Sequence, residues 1–224
     1  MVNVHTIKFG FAKAYLLEVE KGLVLIDAGL PNSENKLWKY TEKQKLKPKN
    51  IKLIIITHGH QDHVGSLKAI KNKTKAQILI HEQDGFLLNA GLSPRVYPTN
   101  WLLKKFYNPE KEVKVTPVKP DITVTDEYSL EEFGVDGNVI HTPGHTKGSI
   151  SVIVDSKYAF IGDIAMKIPP LSFSYVPIIA ENLEQVYSSW QKLIDYGVEV
   201  IYPSHGKTFK IEILEKILNK KKKK

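Results

Sequence analysis

A stretch of seven residues, Thr57 to His63, carries four side chains that could bind a metal ion. It reads Thr-His-Gly-His-Gln-Asp-His and follows the apolar run 53–56. Such a run of β-favouring residues indicates a buried strand that delivers the polar residues to a loop at its carboxyl end. Histidine offers neutral nitrogen donors and aspartate offers oxygen, a mixture that suits zinc and accepts other divalent metals. Because ordinary loop composition rarely concentrates three histidines and an aspartate in this way, we interpret the stretch as a metal-binding motif.

Three further residues of metal-ligand type, His145, Asp163 and His205, follow later strand-like runs. Strand ends that converge on one edge of a sheet are common places for functional sites, because the loops there project from a rigid base. Together with the motif they make seven candidate metal ligands, which are His58, His60, Asp62, His63, His145, Asp163 and His205. Seven groups are too many for one tetrahedral zinc ion, and they fit a site for two metal ions.

The chemistry of these residues divides them into two groups. His58 and His60 alternate along an extended segment and face one way, so with His145 they could form a three-histidine pocket. A second ion would be bound by the three ligands Asp62, His63 and His205.

Asp163 is the natural bridge between the two ions, since a carboxylate has two oxygens. Asp62 is also a candidate catalytic residue. It could hold the proton of the nucleophile or donate a proton to the leaving group, and a purely ligating role is the simpler alternative.

Three other residues could support such a site. Asp27 ends the third of three short strands near the N-terminus and is expected either to cap a turn or to contact a metal-binding histidine. His81 ends a later strand, where a surface or helix-capping role is expected. His141 is a candidate pocket residue or a partner of the ligands, with a structural role as the alternative.

The order of the predicted elements is strands, helix, strand, helix, strand, and then a second series of the same kind. Two sheets packed face to face, with helices on both outer faces, would bury the apolar side of every element. We therefore predict one α/β domain over residues 1–218, a four-layer αββα sandwich, followed by a disordered basic tail at 219–224.

Two apolar, proline-interrupted segments, at about 91–118 and 164–181, break this pattern and are predicted to be insertions. Their aromatic residues could wall a substrate pocket. Packing on the core and a homodimer formed through 91–118 are the alternatives. The predicted pocket wall consists of Tyr97, Trp101, Phe106, Phe173 and Tyr175.

Composition excludes several classes of protein. The chain has no cysteine, so disulfides, thiolate zinc sites and a cysteine nucleophile are excluded. Five of its eight excess positive charges lie in Lys220 to Lys224, and Arg95 is the only arginine, so no specific nucleic-acid partner is expected. Neither a signal sequence nor an apolar run long enough to cross a bilayer is present, so we expect a cytoplasmic protein without membrane insertion.

These motifs closely resemble those of the metallo-β-lactamase superfamily over residues 1–209. The family pattern His-x-His-x-Asp-His stands at 58–63, and its other motifs occur in family order at 27–29, 142–146, 162–163 and 204–206. The resemblance implies an αββα fold, the same division of the seven ligands, and two divalent ions, with zinc expected and manganese, iron or cobalt as alternatives.

The reaction expected from such a site is hydrolysis of a small-molecule substrate. Two adjacent metal ions lower the pKa of a bridging water towards 7 and polarise the substrate oxygen. Apolar insertions favour a small ester, lactone or thioester. The alternatives are a phosphodiesterase or RNA-processing nuclease, and an iron-dependent oxidoreductase similar to the sulfur dioxygenases. A non-catalytic binding module is the weakest alternative, because binding alone does not need a full set of metal ligands.

Overall fold

Twelve strands form two six-stranded sheets in the computed structural model, which describes residues 2–99, 104–105 and 112–223. In the first sheet the strands lie side by side in chain order, antiparallel from β1 to β3 and parallel from β3 to β6. Its strands are β1 Asn3–Phe9, β2 Ala12–Val19, β3 Gly22–Ile26, β4 Ile51–Ile55, β5 Gln77–His81 and β6 Ile122–Val124. The parallel half directs the carboxyl ends of β3, β4 and β5 to the same edge.

The second sheet is mostly antiparallel and contains the rest of the strands, in the order β12-β11-β10-β9-β8-β7. Only β10 and β11 pair in parallel, and as a result both end at the same edge. Its strands are β7 Glu127–Ser129, β8 Gly137–His141, β9 Ile150–Val154, β10 Tyr158–Phe160, β11 Val200–Tyr202 and β12 Phe209–Lys210.

Helices cover the outer face of each sheet. They are α1 Asn35–Lys43, α2 Gln61–Val64, α3 Leu67–Thr74, α4 Glu82–Asn89, α5 Leu183–Asp195 and α6 Glu212–Lys222, and 3₁₀ turns lie at Pro48–Asn50 and Glu131–Phe133. One apolar layer joins the first sheet to α1 and α3, a second lies between the two sheets, and a third joins the second sheet to α5 and α6. The predicted αββα sandwich is therefore confirmed.

Strand β4 shows why the motif is preceded by a continuous apolar run. Leu53 and Ile55 point into the layer between the sheets, whereas Ile54 and Ile56 point into the layer beneath the helices. Since side chains alternate along a strand and both faces of this sheet are covered, every position from Leu53 to Ile56 is apolar. The strand is thus a rigid, buried base for the residues that follow it.

The last helix differs from the prediction. It continues to Lys222, so residues 219–222 are helical where a disordered tail was expected. Lysine is a good helix former and its charge is favourable near a helix C-terminus. The Lys221 ammonium also pairs with Glu184 and lies 4.4 Å from the centre of the Tyr187 ring on α5. In the part of the chain described, no helix is both long and apolar enough to span a membrane.

The two predicted insertions contact each other beside the site. An antiparallel bridge joins Pro98 to Ile179, and the amide of Ala180 donates to the carbonyl of Tyr97 at 2.8 Å. Two of the aromatics predicted to line the pocket, Trp101 and Phe106, lie outside the described residues. The homodimer predicted for the 91–118 segment stays a prediction.

Candidate metal centre

The seven candidate ligands come together in two clusters at the edge where β4 and β10 end. In each cluster the nitrogen and oxygen atoms that could bind a metal lie within 4.8 Å of one another. The three-histidine cluster contains His58, His60 and His145, and the mixed cluster contains Asp62, His63, Asp163 and His205. The grouping of the six other residues matches the prediction, whereas Asp163, predicted to be shared, lies in the mixed cluster. The role of these residues as metal ligands remains our proposal.

Local backbone structure separates the two clusters. Residues 57–60 belong to no strand or helix, His60 has an extended backbone (φ −68°, ψ 151°), and the side chains of His58 and His60 reach the same cluster. A single helical turn, α2, begins at Gln61 where a loop was expected, with His60 as the residue before its first turn. The change from extended to helical backbone directs Asp62 and His63 away from the first pair. Neighbouring residues in one short motif thereby serve two separate clusters.

Three nitrogen atoms converge in the three-histidine cluster. The Nε2 atom of His145 lies 3.2 Å from Nε2 of His58 and 2.9 Å from Nδ1 of His60. Two nitrogens that bind one tetrahedral zinc ion at about 2.0–2.1 Å are separated by about 3.3 Å. The spacing in this cluster is close to that value.

The mixed cluster places two carboxylates against two imidazoles. The Nε2 atom of His205 lies 3.1 Å from Oδ2 of Asp62 and 3.2 Å from Oδ2 of Asp163. The Nε2 atom of His63 lies 3.6 and 3.5 Å from the same two oxygens. Asp163 also faces the other cluster, since its Oδ2 is 3.7 Å from Nε2 of His145. It therefore has the position of a bridging ligand.

Hydrogen bonds on the outer side of the rings fix which nitrogen faces each cluster. Nδ1 of His145 bonds the carbonyl of Ile179 at 2.8 Å, and Nδ1 of His205 bonds the carbonyl of Phe11 at 3.0 Å. A carbonyl can only accept, so each Nδ1 carries a proton and Nε2 is the ring nitrogen that faces the cluster.

Asp27 orients His63 in the same way. Its Oδ2 lies 2.8 Å from Nδ1 of His63, and its Oδ1 accepts from the backbone amide of Thr57 at 2.9 Å. The hydroxyl of Ser204 donates to the same carboxylate at 3.1 Å. Asp27 has a positive φ of 63°, a conformation that aspartate tolerates. Of the two roles left open by the sequence, the structure shows the contact with a candidate metal-binding histidine.

The two clusters have opposite electrostatic character. Burial, reinforced by the neighbouring imidazoles, lowers the pKa of His58 well below its ordinary value and that of His60 to about 3. Burial acts in the same direction on His63 and His205, but nearby carboxylates outweigh it and raise the pKa of both side chains, that of His205 to about 10. The first cluster thus presents neutral lone pairs, and the second presents carboxylates that require positive charge.

The donor atoms fit a pair of divalent metal ions. Nε2 of His63 and Oδ1 of Asp163 are buried without a hydrogen-bond partner among the described residues, as expected of atoms directed at a cation. Imidazole and carboxylate donors together suit zinc and accept manganese, iron or cobalt. The three-histidine cluster would hold one ion and the mixed cluster the other.

A cavity of about 550 Å³ opens over the two clusters. Five of the seven candidate ligands line it, and the rest of its described wall is predominantly apolar, formed by Phe11, Val96, Val113, Met166, Ile168, Leu171, Ile178 and Ile179. Gln61 and Ser93 complete that wall, which contains neither lysine nor arginine.

The predicted aromatic wall is wrong for the residues that can be tested. Tyr97 lines a neighbouring cavity, and Tyr175 packs on Phe209 with ring centres 4.2 Å apart. The side chain of Phe173 is 73% exposed and does not border the cavity. Aliphatic residues of the two insertions, among them Val96, Ile178 and Ile179, line the cavity instead.

Two histidines singled out in the sequence have structural roles. His81 caps α4 by accepting a hydrogen bond from the amide of Gln83, which confirms the predicted capping role. Its ring stacks on that of His141 at 4.1 Å, and Nε2 of His141 bonds the carbonyl of Lys147. His141 borders a separate cavity of about 340 Å³, away from the two clusters.

Two residues beside the site were not among those predicted from the sequence. Phe11, in the turn between β1 and β2, stacks on the ring of His205 with centres 5.5 Å apart. Asp84, on α4, accepts hydrogen bonds from the segments that carry the three-histidine cluster. Phe11 could have been noticed in the sequence as an aromatic residue in a tight turn. No local sequence feature distinguished Asp84 from an acidic residue on the surface.

Comparison with known proteins agrees with this geometry. The model of the metallo-beta-lactamase superfamily matches residues 7–205. Uncharacterized protein YobT of Bacillus subtilis (strain 168) is 29% identical over 86% of this chain and 82% of its own length, and probable metallo-hydrolase YflN of the same organism is 25% identical over 95% and 89%.

Among solved structures, a metallo-beta-lactamase family protein from Thermus thermophilus, TTHA1429, has the same fold. Its TM-score is 0.72 at 19% identity, over 99% of this chain and 79% of that one. The family model spans the whole candidate site, from the first strand to the last candidate ligand. The chain therefore belongs to the metallo-beta-lactamase superfamily and is an enzyme of that superfamily.

Proposed function

We propose that the protein is a dinuclear metal-dependent hydrolase that cleaves a small ester, lactone or thioester. The observation that carries this proposal is the cavity, whose floor is formed by the two ligand clusters and whose described wall is mainly aliphatic. The floor accounts for the reaction, and the wall accounts for the class of substrate. The relatives named as probable metallo-hydrolases are consistent with the reaction type.

Two bound divalent metal ions would supply a hydroxide nucleophile at neutral pH and polarise the carbonyl oxygen of the substrate. The protein's own side chains orient the reactants and contact the proton of the nucleophile. The Nε2 atoms of His145 and His205 are directed towards the site by the outer hydrogen bonds of the two imidazoles. The predominantly apolar wall would reduce contact of a bound substrate with bulk water and so strengthen electrostatic interactions at the site.

Asp62 is the carboxylate placed to contact the proton of the nucleophile. Its side chain is 21% exposed and borders the cavity. Burial by itself raises the pKa of this carboxyl, but His63 and the hydrogen bond from His205 lower it to about 2. Because the carboxylate is ionised at neutral pH, we infer that it accepts a hydrogen bond from the nucleophile and orients it. The ionised form has no proton to donate to the leaving group.

The wall argues against a phosphodiester substrate. A polyanion bound next to this site would need cationic side chains, and the described part of the wall has no lysine or arginine. An aliphatic surface instead stabilises the apolar portion of an ester or thioester by about 25 cal/mol per Å² of buried area.

The direct test is a substrate panel assayed on metal-replete protein. We expect chelator-sensitive hydrolysis of at least one simple ester, lactone or thioester, together with about two metal equivalents per chain by elemental analysis. Phosphodiester and short RNA substrates form the second arm. Turnover confined to that arm would replace the proposal with the nuclease alternative, and oxygen consumption on a persulfide by iron-loaded protein would replace it with the oxidoreductase.

Replacing Phe11 with alanine is expected to weaken selection for apolar substrates. The ring is 64% exposed and stacks on His205, whereas the hydrogen bond to His205 uses the Phe11 backbone carbonyl and survives the change. Loss of one aromatic wall contact is worth about 1–2 kcal/mol, so kcat/KM for a hexanoyl ester should fall about tenfold. The value for an acetyl ester should change much less.

Phe86 provides a matched control for Phe11. It is 74% exposed on α4 and does not border the cavity. Phe86→Ala should leave the ratio of hexanoyl to acetyl kcat/KM unchanged. An equal shift in both variants would mean that Phe11 has no part in substrate selection.

A further inference from the structure

Asp84 is a buried carboxylate next to the candidate metal centre, and it is not one of the seven candidate ligands. It lies in the first turn of α4 and is only 2% exposed. It accepts three hydrogen bonds, from the Gly59 amide at 2.8 Å, the Thr146 hydroxyl at 2.8 Å and the Gly148 amide at 3.1 Å. A buried ionised carboxylate requires such partners, because transfer from water is costly.

These three donors belong to the two segments that carry the three-histidine cluster. Gly59 lies between His58 and His60, and Thr146 directly follows His145. One carboxylate therefore ties both segments to the same helix. A hydrogen bond of 2.9 Å from the Ile150 amide to the Thr57 carbonyl also joins the segments, at the end nearer to the sheets. The Asp84 bonds lie at the end nearer to the histidines.

Glycines permit the close approach of both backbone donors. A Cβ atom added at Gly148 would lie 2.4 Å from Oδ1 of Asp84, well inside contact distance. At Gly59 an added Cβ would be 2.8 Å from Cδ of Pro94. A larger residue at position 148 would therefore push its segment away from the carboxylate, whereas at position 59 it would clash with Pro94.

The mixed cluster is held by a different carboxylate, Asp27, which accepts hydrogen bonds from the Thr57 amide, the His63 ring and the Ser204 hydroxyl. Its histidines are oriented by Asp27 and by the carbonyl of Phe11. The carboxylate of Asp84 accordingly acts on one cluster only. The pKa of Asp84 is raised overall by burial, and the hydrogen bonds from Gly59, Thr146 and Gly148 oppose that rise.

We propose that Asp84 is a positioning residue that sets the spacing of His58, His60 and His145, and thereby the affinity of the three-histidine cluster for its metal ion. The inference rests on the metal centre of the proposed function and is independent of the substrate class. Nitrogens held at 2.9–3.2 Å need little rearrangement to bind an ion, whereas segments released from Asp84 must be ordered by the ion itself.

The test is a calorimetric titration with Zn²⁺ of the full-length Asp84→Asn variant from which metal has been removed. Asparagine keeps the size of the side chain but presents an NH₂ group to one of the donors, so at least one hydrogen bond is lost. We expect the affinity of the three-histidine cluster to fall about 10–100-fold, with that of the mixed cluster unchanged within about threefold. Reference variants His145→Ala and His205→Ala identify which binding step belongs to which cluster.

A second variant alters the same hydrogen-bonded contact by changing the donor residue, Gly148. Gly148→Ala leaves the carboxylate in place and displaces the segment that follows His145, so the same selective loss is expected. It also carries the test if Asp84→Asn does not fold. Asp121→Asn is the matched control, because Asp121 likewise accepts a backbone amide bond, from Ile78 at 2.8 Å, at the opposite end of β5. Both affinities should be unchanged in this control.

Wild-type affinities in both Asp84→Asn and Gly148→Ala would overturn the inference, and so would an equal fall at both clusters accompanied by a lower melting temperature. Failure of the wild-type protein to bind metal would refute the proposed function itself, and with it this inference. Hydrolysis is not needed for the readout, so an incorrect substrate class would leave the result interpretable.

Discussion

Asp163→Ala is expected to abolish hydrolysis and to remove at least one of two bound metal ions. Asp163 Oδ2 lies 3.2 Å from Nε2 of His205 in one cluster and 3.7 Å from Nε2 of His145 in the other. Alanine removes the only described carboxylate that faces both clusters, and with it the negative charge that would hold two cations close together.

The expected loss in kcat/KM is at least about 100-fold, the scale found when one preorganised electrostatic contact of an active site is removed. Metal content by elemental analysis should fall from about two to one or fewer per chain. Asp126→Ala is a suitable control, since Asp126 is an exposed acid paired with Lys192 outside both clusters, and surface ion pairs contribute little. Wild-type metal content in Asp163→Ala would contradict the bridging role.

Asp27→Asn is expected to weaken metal binding in the mixed cluster without changing the shape of the side chain. The carboxylate accepts the Nδ1 proton of His63 at 2.8 Å. An asparagine whose oxygen stays on the Thr57 amide presents its NH₂ group to that ring nitrogen. His63 must then place its proton on Nε2, the atom that faces the cluster, and lose the lone pair needed for a metal ion.

We expect the affinity of the mixed cluster to fall by about 10–100-fold, with the three-histidine cluster little affected. Unfolding free energy of the metal-free protein should fall by about 1–3 kcal/mol, because a buried hydrogen bond is lost. Nitrogen NMR of His63 would report the change of tautomer directly. Ser204→Ala, which removes one longer bond to the same carboxylate, should retain the wild-type tautomer, and a retained Nδ1 proton in Asp27→Asn would contradict the argument.

The candidate ligands could be recognised from the sequence because each follows a strand with a clear pattern. The apolar run before His58 alternates between two buried faces, which makes β4 evident without any tertiary information. Ligand type and strand end together were enough to select all seven residues and to divide them. The helical turn at 61–64 was missed, because four residues carry too little periodicity to distinguish a turn of helix from a loop.

The partners of the ligands were harder to predict, because they are distant in the chain. Phe11 and His205 are 194 positions apart, and Asp84 and Gly148 are 64 apart. Such contacts arise only when the two sheets pack and bring their edges together. The same reason explains the incorrect pocket wall, since the cavity is lined jointly by residues of two insertions that are far apart in the chain.

The sequence by itself determined the four-layer fold and the kind of chemistry, since both depend on short-range patterns of apolar and ligand-type residues. Tertiary structure alone decided which ring nitrogen faces each cluster, which carboxylates orient the rings, and what lines the cavity. Those properties depend on distances between residues far apart in the chain. The packing of the two sheets sets these distances, and a linear pattern of residue types does not contain them.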